Sequence, residues 1–359
     1  MLHFFECKNT YKSESVEIFF AQVLVFVYLC NQFMTQEETD IKYMRRCLQL
    51  AANGLGRVRP NPLVGCVIVK DDRIFSEGYH QYYGGNHAER NAILNYEFGI
   101  SNCEENNSKF NFQNSTLYVN LEPCSHYGKT PPCADLIVEK GIKRVVCCND
   151  DPNPLVAGKG FAKLEAAGIE VLRHVLEDEG RELNRRFFTF MEKQRPYIIL
   201  KWAESADGFM APEEKGKYWI SNEYQTIISH KMRTEEASIL VGSQTYLDDH
   251  PQLTARMYGG NQPLPIVLDR RGRTENGERR TENVPLVLRC QTLDEVMKTL
   301  FERKIQSLIV EGGRKILDAF IAAGLYDEIV IFRSPKEYGS GLKAPTVPHI
   351  PENRLHIYE

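Results

Sequence analysis

Strand-like and helix-like stretches alternate twice over in this chain, first before Arg195-Pro196 and again after it. An alternating βα order specifies a layered α/β architecture, and 359 residues are enough for two separate cores. Before the proline, Ile41, Met44, Leu48 and Ala52 recur at helical spacing until Gly54 and Gly56. Val64 to Lys70 and Arg73 to Gly78 read as a hairpin about an Asp71-Asp72 turn. A helix over Asn86 to Tyr96 leads to the Asn-rich stretch Ser101 to Ser115, expected to be a surface loop. Strands at Thr116 to Asn120, Arg144 to Cys148 and Glu170 to Leu172 alternate with helices at Cys133 to Lys140 and Phe161 to Ala167. Charge-rich Glu177 to Lys193 reads as a helical stretch leading to the boundary. Beyond it, strands at Tyr197 to Trp202, Ala237 to Gly242, Pro265 to Leu268, Ser307 to Val310 and Glu328 to Phe332 alternate with helices such as Asn222 to Glu236 and Arg314 to Ala323. The expected organisation is a domain over 34–180, a connecting segment over 181–195 and a second domain over 196–359.

With 44 basic and 48 acidic residues intermixed, no broad basic surface for a nucleic-acid backbone is expected, whereas a small anionic ligand needs only a few arginines. The ten cysteines are unevenly placed, Cys147 adjoining Cys148 on a strand, which suits thiols in a reducing, cytoplasmic compartment better than a disulfide framework. Ile18 to Cys30 is an apolar run interrupted by Gln22, short for a bilayer span and similar to a signal-peptide core. Against the signal-peptide reading, no small-residue cleavage site follows, and Glu14 and Glu17 flank the run. Residues 1–33 are therefore read as a dispensable upstream extension, with Met34 and Thr35-Gln36-Glu37-Glu38 as the natural start of the first helix.

His87-Ala88-Glu89 opens a helix, Pro123-Cys124 follows a strand, and Cys133 opens the next helix. One imidazole and two thiolates suit Zn²⁺ and leave a fourth tetrahedral position for water, whose pKa the ion lowers to about 7. Glu89 lies two residues past the histidine, free to move protons to a ring nitrogen and then to a leaving amine. A closed structural site is the alternative, and His126 is its nearest candidate for a fourth ligand. Eight residues separate the cysteines where the general zinc-deaminase signature has two.

That lengthened segment, Glu122-Pro123-Cys124-Ser125-His126-Tyr127-Gly128-Lys129-Thr130-Pro131-Pro132-Cys133, resembles the riboflavin-pathway pyrimidine deaminases. Arg59-Pro60-Asn61-Pro62-Leu63-Val64-Gly65 and Asp151-Pro152-Asn153-Pro154 with Val156-Ala157-Gly158-Lys159-Gly160 carry the same resemblance. It implies a cytidine-deaminase-like α/β/α domain with a mixed sheet, in which Asn61, His126 and Lys129 contact the pyrimidine substrate. Asn86 stands where the family commonly has proline before the ligand histidine.

In the second half, Gly158-Lys159-Gly160 just upstream and Gly339-Ser340-Gly341 both fail as dinucleotide fingerprints. The first lacks a third glycine and the second opens no helix. Glu311-Gly312-Gly313 is better placed, between a strand and a helix, where its amides could cradle a phosphate, although taken alone a plain tight turn is the commoner reading. Lys201, Ser205-Ala206-Asp207-Gly208, Trp219-Ile220-Ser221, Arg233, Val241-Gly242-Ser243-Gln244-Thr245, Asp248-Asp249-His250-Pro251, Leu253-Thr254-Ala255-Arg256, Leu268-Asp269 and Val310-Glu311-Gly312-Gly313 together resemble the riboflavin-pathway reductase. The resemblance implies a dihydrofolate-reductase-like α/β domain. NADPH would lie on Trp219, Thr245, Asp249 and Gly313, the substrate on Arg233, Leu253, Arg256 and Glu311, and Lys201 would serve the ring-opened ribose as hydride arrives. Ala206, Lys217 and Arg314 depart from the family pattern, and the end at Glu359 leads us to expect an incomplete last strand.

The whole chain from Asp40 thus resembles the bifunctional deaminase/reductase family, with a small phosphorylated pyrimidine as substrate, zinc and NADPH as cofactors, no nucleic-acid or membrane partner, and self-association expected. A nucleic-acid deaminase joined to an unrelated reductase-like domain would need a basic, aromatic-lined channel that the sequence lacks. A zinc-stabilised scaffold without turnover would have no use for Glu89.

Overall fold

The computed structural model describes residues 35–100, 112–126, 131–154, 156–214, 216, 218–274 and 284–359, with the backbone alone at 98–100. The expected extension 1–33, most of the Asn-rich loop, Lys129 and Lys217 lie outside the described residues. No helix among the described residues is long and apolar enough to cross a membrane.

The first helix, α1 (Gln36–Ala52), begins where the sequence places it. Thr35 accepts from the Glu38 amide while Glu38 reaches back to the Thr35 amide, a reciprocal cap that satisfies two otherwise unpaired donors. The hairpin β1 (Gly65–Lys70) and β2 (Arg73–Tyr79) follows, then α2 (Ala88–Ile100), β3 (Thr116–Leu121), α3 (Cys133–Glu139), β4 (Arg144–Asn149), α4 (Lys159–Ala166) and β5 (Glu170–Leu172). The five strands run β2-β1-β3-β4-β5, antiparallel at β2-β1-β3 and parallel from β3 onward, so the sheet is mixed as expected. Both faces are covered: Cys66, Ile68, Leu117, Val145 and Ile137 fill one core, and Met44, Cys47, Val67, Tyr118 and Val146 the other. The Asn-rich stretch differs from expectation at its end, where Phe112 is buried against Phe75 and Tyr96, and Ser115 is also buried. One aromatic anchor pulls that end of the loop inward.

Glu177 to Lys193 is two helices, not one stretch, α5 (Glu177–Leu183) and α6 (Arg185–Lys193). The break is Asn184, whose side chain accepts from the Leu63 amide at 2.8 Å and donates to the Leu63 carbonyl at 2.9 Å. A buried amide bonded to both backbone groups of a distant residue fixes that position against helical continuation. Phe187 and Phe188 of α6 pack with Leu121 of the first sheet, while Phe190 meets Phe301 of the second unit.

The second unit carries β6 (Tyr197–Glu204), β7 (Phe209–Pro212), α7 (Glu223–Glu235), β8 (Ser238–Gly242), α8 (Ser243–Asp249), β9 (Leu264–Leu268), β10 (Leu286–Leu288), α9 (Leu293–Glu302), β11 (Ser307–Glu311), α10 (Arg314–Ala322), β12 (Glu328–Arg333), β13 (Gly341–Lys343) and β14 (Leu355–Tyr358). Seven strands form one sheet in the order β10-β9-β8-β11-β6-β12-β14, with parallel pairing throughout. Near-continuous apolar strands such as Leu308-Ile309-Val310 suit a sheet buried on both faces. Side chains at the carboxyl ends of such strands converge on one rim, where ligands bind open α/β sheets. In register, Lys201 lies opposite Glu311 on that rim.

Candidate active sites

At the carboxyl end of β3 the chain turns through Pro123-Cys124, and the two helices beside it bring in His87 and Cys133. The imidazole Nδ1 lies 3.5 Å from the Cys124 sulfur and 3.4 Å from the Cys133 sulfur. All three ligand atoms fall within 4.8 Å of one another. Donors around a tetrahedral zinc, with Zn–S of about 2.3 Å and Zn–N of about 2.0 Å, stand about 3.5–3.8 Å apart, so the donor set fits that ion. Among the described residues no fourth His, Cys, Asp or Glu joins the group, and His126 is exposed outside it. The arrangement leaves a coordination position for a reactant.

Cys124 is further tied by the Cys133 amide, which donates to its sulfur at 3.3 Å. The Cys133 thiol and the His87 imidazole lower the Cys124 thiol from its ordinary value despite burial, and the resulting charge with burial pushes Cys133 up. Glu89, in the first turn of α2, is 3% exposed, and burial raises its carboxyl above the ordinary value. A buried carboxyl holds its proton more tightly than a solvated one.

Asn61 is held by a residue the sequence reading missed. His80 is buried, and its Nδ1 lies 2.8 Å from the Asn86 carbonyl, to which only a protonated nitrogen can donate. Burial lowers the His80 pKa, so Nε2 keeps its lone pair and accepts from Asn61 Nδ2 at 3.0 Å. The Asn61 carbonyl oxygen is thereby turned away from His80 as an acceptor. The signal was Tyr79-His80 at the end of a strand, seven residues before the ligand histidine, but one histidine beside a strand end reads as ordinary core.

Glu122 explains the Gly158-Lys159-Gly160 segment. Its carboxylate accepts from the Gly158 amide at 3.0 Å and the Gly160 amide at 2.9 Å, and a Cβ at Gly160 would stand 2.0 Å from the Pro123 carbonyl oxygen. These glycines brace the Pro123-Cys124 turn, and their amides are not available to a phosphate.

The second cluster lies on the rim of the parallel sheet. Glu311 takes Arg233 Nη2 at 2.7 Å, Lys201 Nζ at 3.6 Å and the Ser229 hydroxyl at 3.4 Å. Burial alone would raise the Glu311 carboxyl, but Lys201 and Arg233 outweigh it and hold it at about 2. Burial lowers the Lys201 ammonium from its ordinary value, with Glu311 opposing. Arg233 Nη1 donates to the Thr254 carbonyl at 3.0 Å, while its Nε and the Thr254 hydroxyl are buried without a partner among the described residues. Orphaned polar atoms beside three charged side chains are what a polar ligand would satisfy.

Thr245 joins Gly313, whose amide donates to its hydroxyl at 3.1 Å at the start of α10. Trp219, 76% exposed, and Asp249 stand at the surface, as does Arg256. The Leu253 side chain is buried among Ile239 and Val241, which leaves its backbone, at a φ of 55°, as the part able to meet a ligand. The sheet thus gathers Lys201, Arg233 and Glu311 into one cluster and Thr245 with Gly313 into another.

Comparison with known proteins agrees with both halves. Residues 37–149 match the family described as the cytidine and deoxycytidylate deaminase zinc-binding region, and residues 196–355 match the RibD C-terminal domain. The chain is 38% identical to the riboflavin biosynthesis protein RibD of Actinobacillus pleuropneumoniae, covering 88% of each chain. It is 39% identical to RibD of Aquifex aeolicus, covering 85% of this chain and 89% of that one. Among solved structures, it is similar to the diaminohydroxyphosphoribosylaminopyrimidine deaminase/5-amino-6-(5-phosphoribosylamino)uracil reductase of Thermotoga maritima, with a TM-score of 0.78 and 37% identity over 88% of this chain and 94% of that one. RibD of Acinetobacter baumannii gives the same TM-score of 0.78 at 33% identity over 89% of this chain and 93% of that one. The chain belongs to the RibD family, a deaminase and a reductase of riboflavin biosynthesis in one polypeptide.

Proposed function

We propose that residues 34–180 hydrolytically deaminate a diaminopyrimidine carrying a phosphorylated ribose, that residues 196–359 reduce the ribosyl group of the product with NADPH, and that 181–195 connect the two. The observation that carries the reading is the three-donor group of His87, Cys124 and Cys133 beside the buried carboxyl of Glu89. Zinc held by these donors supplies Lewis acidity and a nucleophile at neutral pH. Glu89 passes one proton of the attacking water to a ring nitrogen as the C–O bond forms, then carries the remaining hydroxyl proton to the amine, so that the C–N bond breaks with release of ammonia. Asn61, its amide oriented by His80, accepts a hydrogen bond from the amino-bearing edge of the pyrimidine, and His126 and Lys129 hold the rest of the substrate.

In the reductase half, NADPH supplies hydride and lies along Trp219, Thr245, Asp249 and the turn at Gly313. Lys201 delivers a proton to the carbonyl oxygen of the ring-opened ribose, Glu311 keeps that lysine charged and placed, and Arg233 and Arg256 hold the phosphate. The Leu253 backbone closes that site. The substrate class is a small molecule and not a nucleic acid, the compartment cytoplasmic, and a homo-oligomer the expected assembly.

A Lys201→Met variant tests the division of labour. It should release ammonia at the wild-type rate while NADPH oxidation falls at least about a hundredfold. Loss of both activities in a folded variant would remove Lys201 from the reductase role.

A further inference from the structure

Arg59 belongs to the motif before the hairpin, yet its guanidinium leaves the first unit and enters the second. Nη1 donates to the Glu236 carbonyl and, at 3.4 Å, to that of Thr234, and Nη2 donates to the Gln262 carbonyl at 3.0 Å. Thr234 and Glu236 end α7, where the unpaired carbonyls and helix dipole favour a cation. Gln262 closes the following loop, since its side chain accepts from the Ala255 amide at 2.7 Å.

Both tethered segments carry residues of the reductase cluster. Arg233 adjoins Thr234 on α7, and Thr254, whose carbonyl Arg233 grips, adjoins Ala255 in a loop that also holds Leu253 and Arg256. The seating is tight on every side. A Cβ at Gly56 would stand 2.4 Å from the Thr234 carbonyl oxygen, Asn261 donates to the Gly56 carbonyl at 2.8 Å, and Gln306 donates to the Pro60 carbonyl. The Glu236 carboxylate is held in turn by Arg186 of α6.

We propose that Arg59 is a positioning residue for the reductase substrate, supplied by the deaminase half: one guanidinium sets the α7 terminus and the 253–262 loop relative to each other. This rests on the reductase reading above. Its reach is selective, because Thr245 and Gly313, on the NADPH side, are joined to each other and make no contact with Arg59 among the described residues.

The test is steady-state reduction of the isolated deaminated intermediate by zinc-loaded full-length wild type, Arg59→Ala and Arg59→Lys. In the alanine variant KM for the intermediate should rise about tenfold, with KM for NADPH unchanged and kcat within about twofold. Lysine keeps the charge but cannot fork over three carbonyls, so its KM should fall between the two. A part that only stabilised the fold would lower the amount of active enzyme and leave KM alone. If Arg59→Ala does not accumulate as folded protein, the lysine variant decides by the same measure. Wild-type KM in the folded variants overturns the proposal and leaves the reductase reading intact. No reduction by the wild type overturns both.

Discussion

Glu89 and His80 are both buried, but their environments ask different things of them. Glu89 is buried beside the metal donors with its carboxyl raised by burial, and the proposed role of proton carrier predicts that its replacement leaves the metal in place. Glu89→Gln should reduce ammonia release at least about a hundredfold with zinc content unchanged by atomic absorption. Loss of zinc together with activity would make Glu89 part of the metal shell. His80 instead touches Asn61, and the proposed role of that asparagine predicts that His80→Ala should mainly raise the deaminase KM. An unaltered KM would show that Asn61 needs no such support. The three metal donors were legible in the sequence because their types and order permit little else. His80 was not, since its importance depends on Asn61 and Asn86 closing on it from other loops.

Elements were easiest to read where capping chemistry and apolar periodicity agreed. The α1 start at Thr35 and the α7 start at Asn222 each carry a reciprocal cap, and both follow directly from side chains three residues apart. The break between α5 and α6 was hidden because Asn184 acts on Leu63, which no local pattern reveals. Asn184→Ala would leave the buried Leu63 amide without its partner, while the Leu63 carbonyl keeps Asn120 Nδ2 at 2.9 Å, a loss of about 1–3 kcal/mol. Urea unfolding should therefore show a lower midpoint with unchanged slope. An unshifted midpoint would mean that water replaces the amide. The short strands β7, β10 and β13 also escaped the sequence reading, since three or four residues give too little alternation to stand out.

At the scale of the whole molecule, the two units meet through buried charge. Arg186 with Glu236 and Arg195 with Asp327 join α6 and the segment after it to the second unit, so removing one partner would leave the other charge buried without its counter-ion. Acid should destabilise the reductase half in two stages. His230 is neutral in the folded protein, its pKa lowered to about 4 by burial and then by Arg233 and Arg256. Its contribution is complete above the ordinary value of 6.5 and is lost as pH falls toward 4. Glu311, held at about 2, contributes fully above 4.5 and loses that contribution as pH falls toward 2. Denaturant midpoints measured from pH 8 to pH 4 should thus decline below about 6.5, and His230→Asn should flatten that decline. Equal slopes for the two proteins would assign the acid sensitivity elsewhere.

The most direct test of the central claim follows both reactions in one cuvette. Zinc-loaded protein is given NADPH and the undeaminated diaminopyrimidine ribosyl phosphate, beside a Glu89→Gln control, and absorbance of NADPH is recorded. The expected result is oxidation by the wild type alone, with the control recovering activity when the deaminated intermediate is supplied. Oxidation of the undeaminated compound at equal rates by both proteins, or by neither when both are folded and metal-loaded, would contradict a deaminase that feeds a reductase.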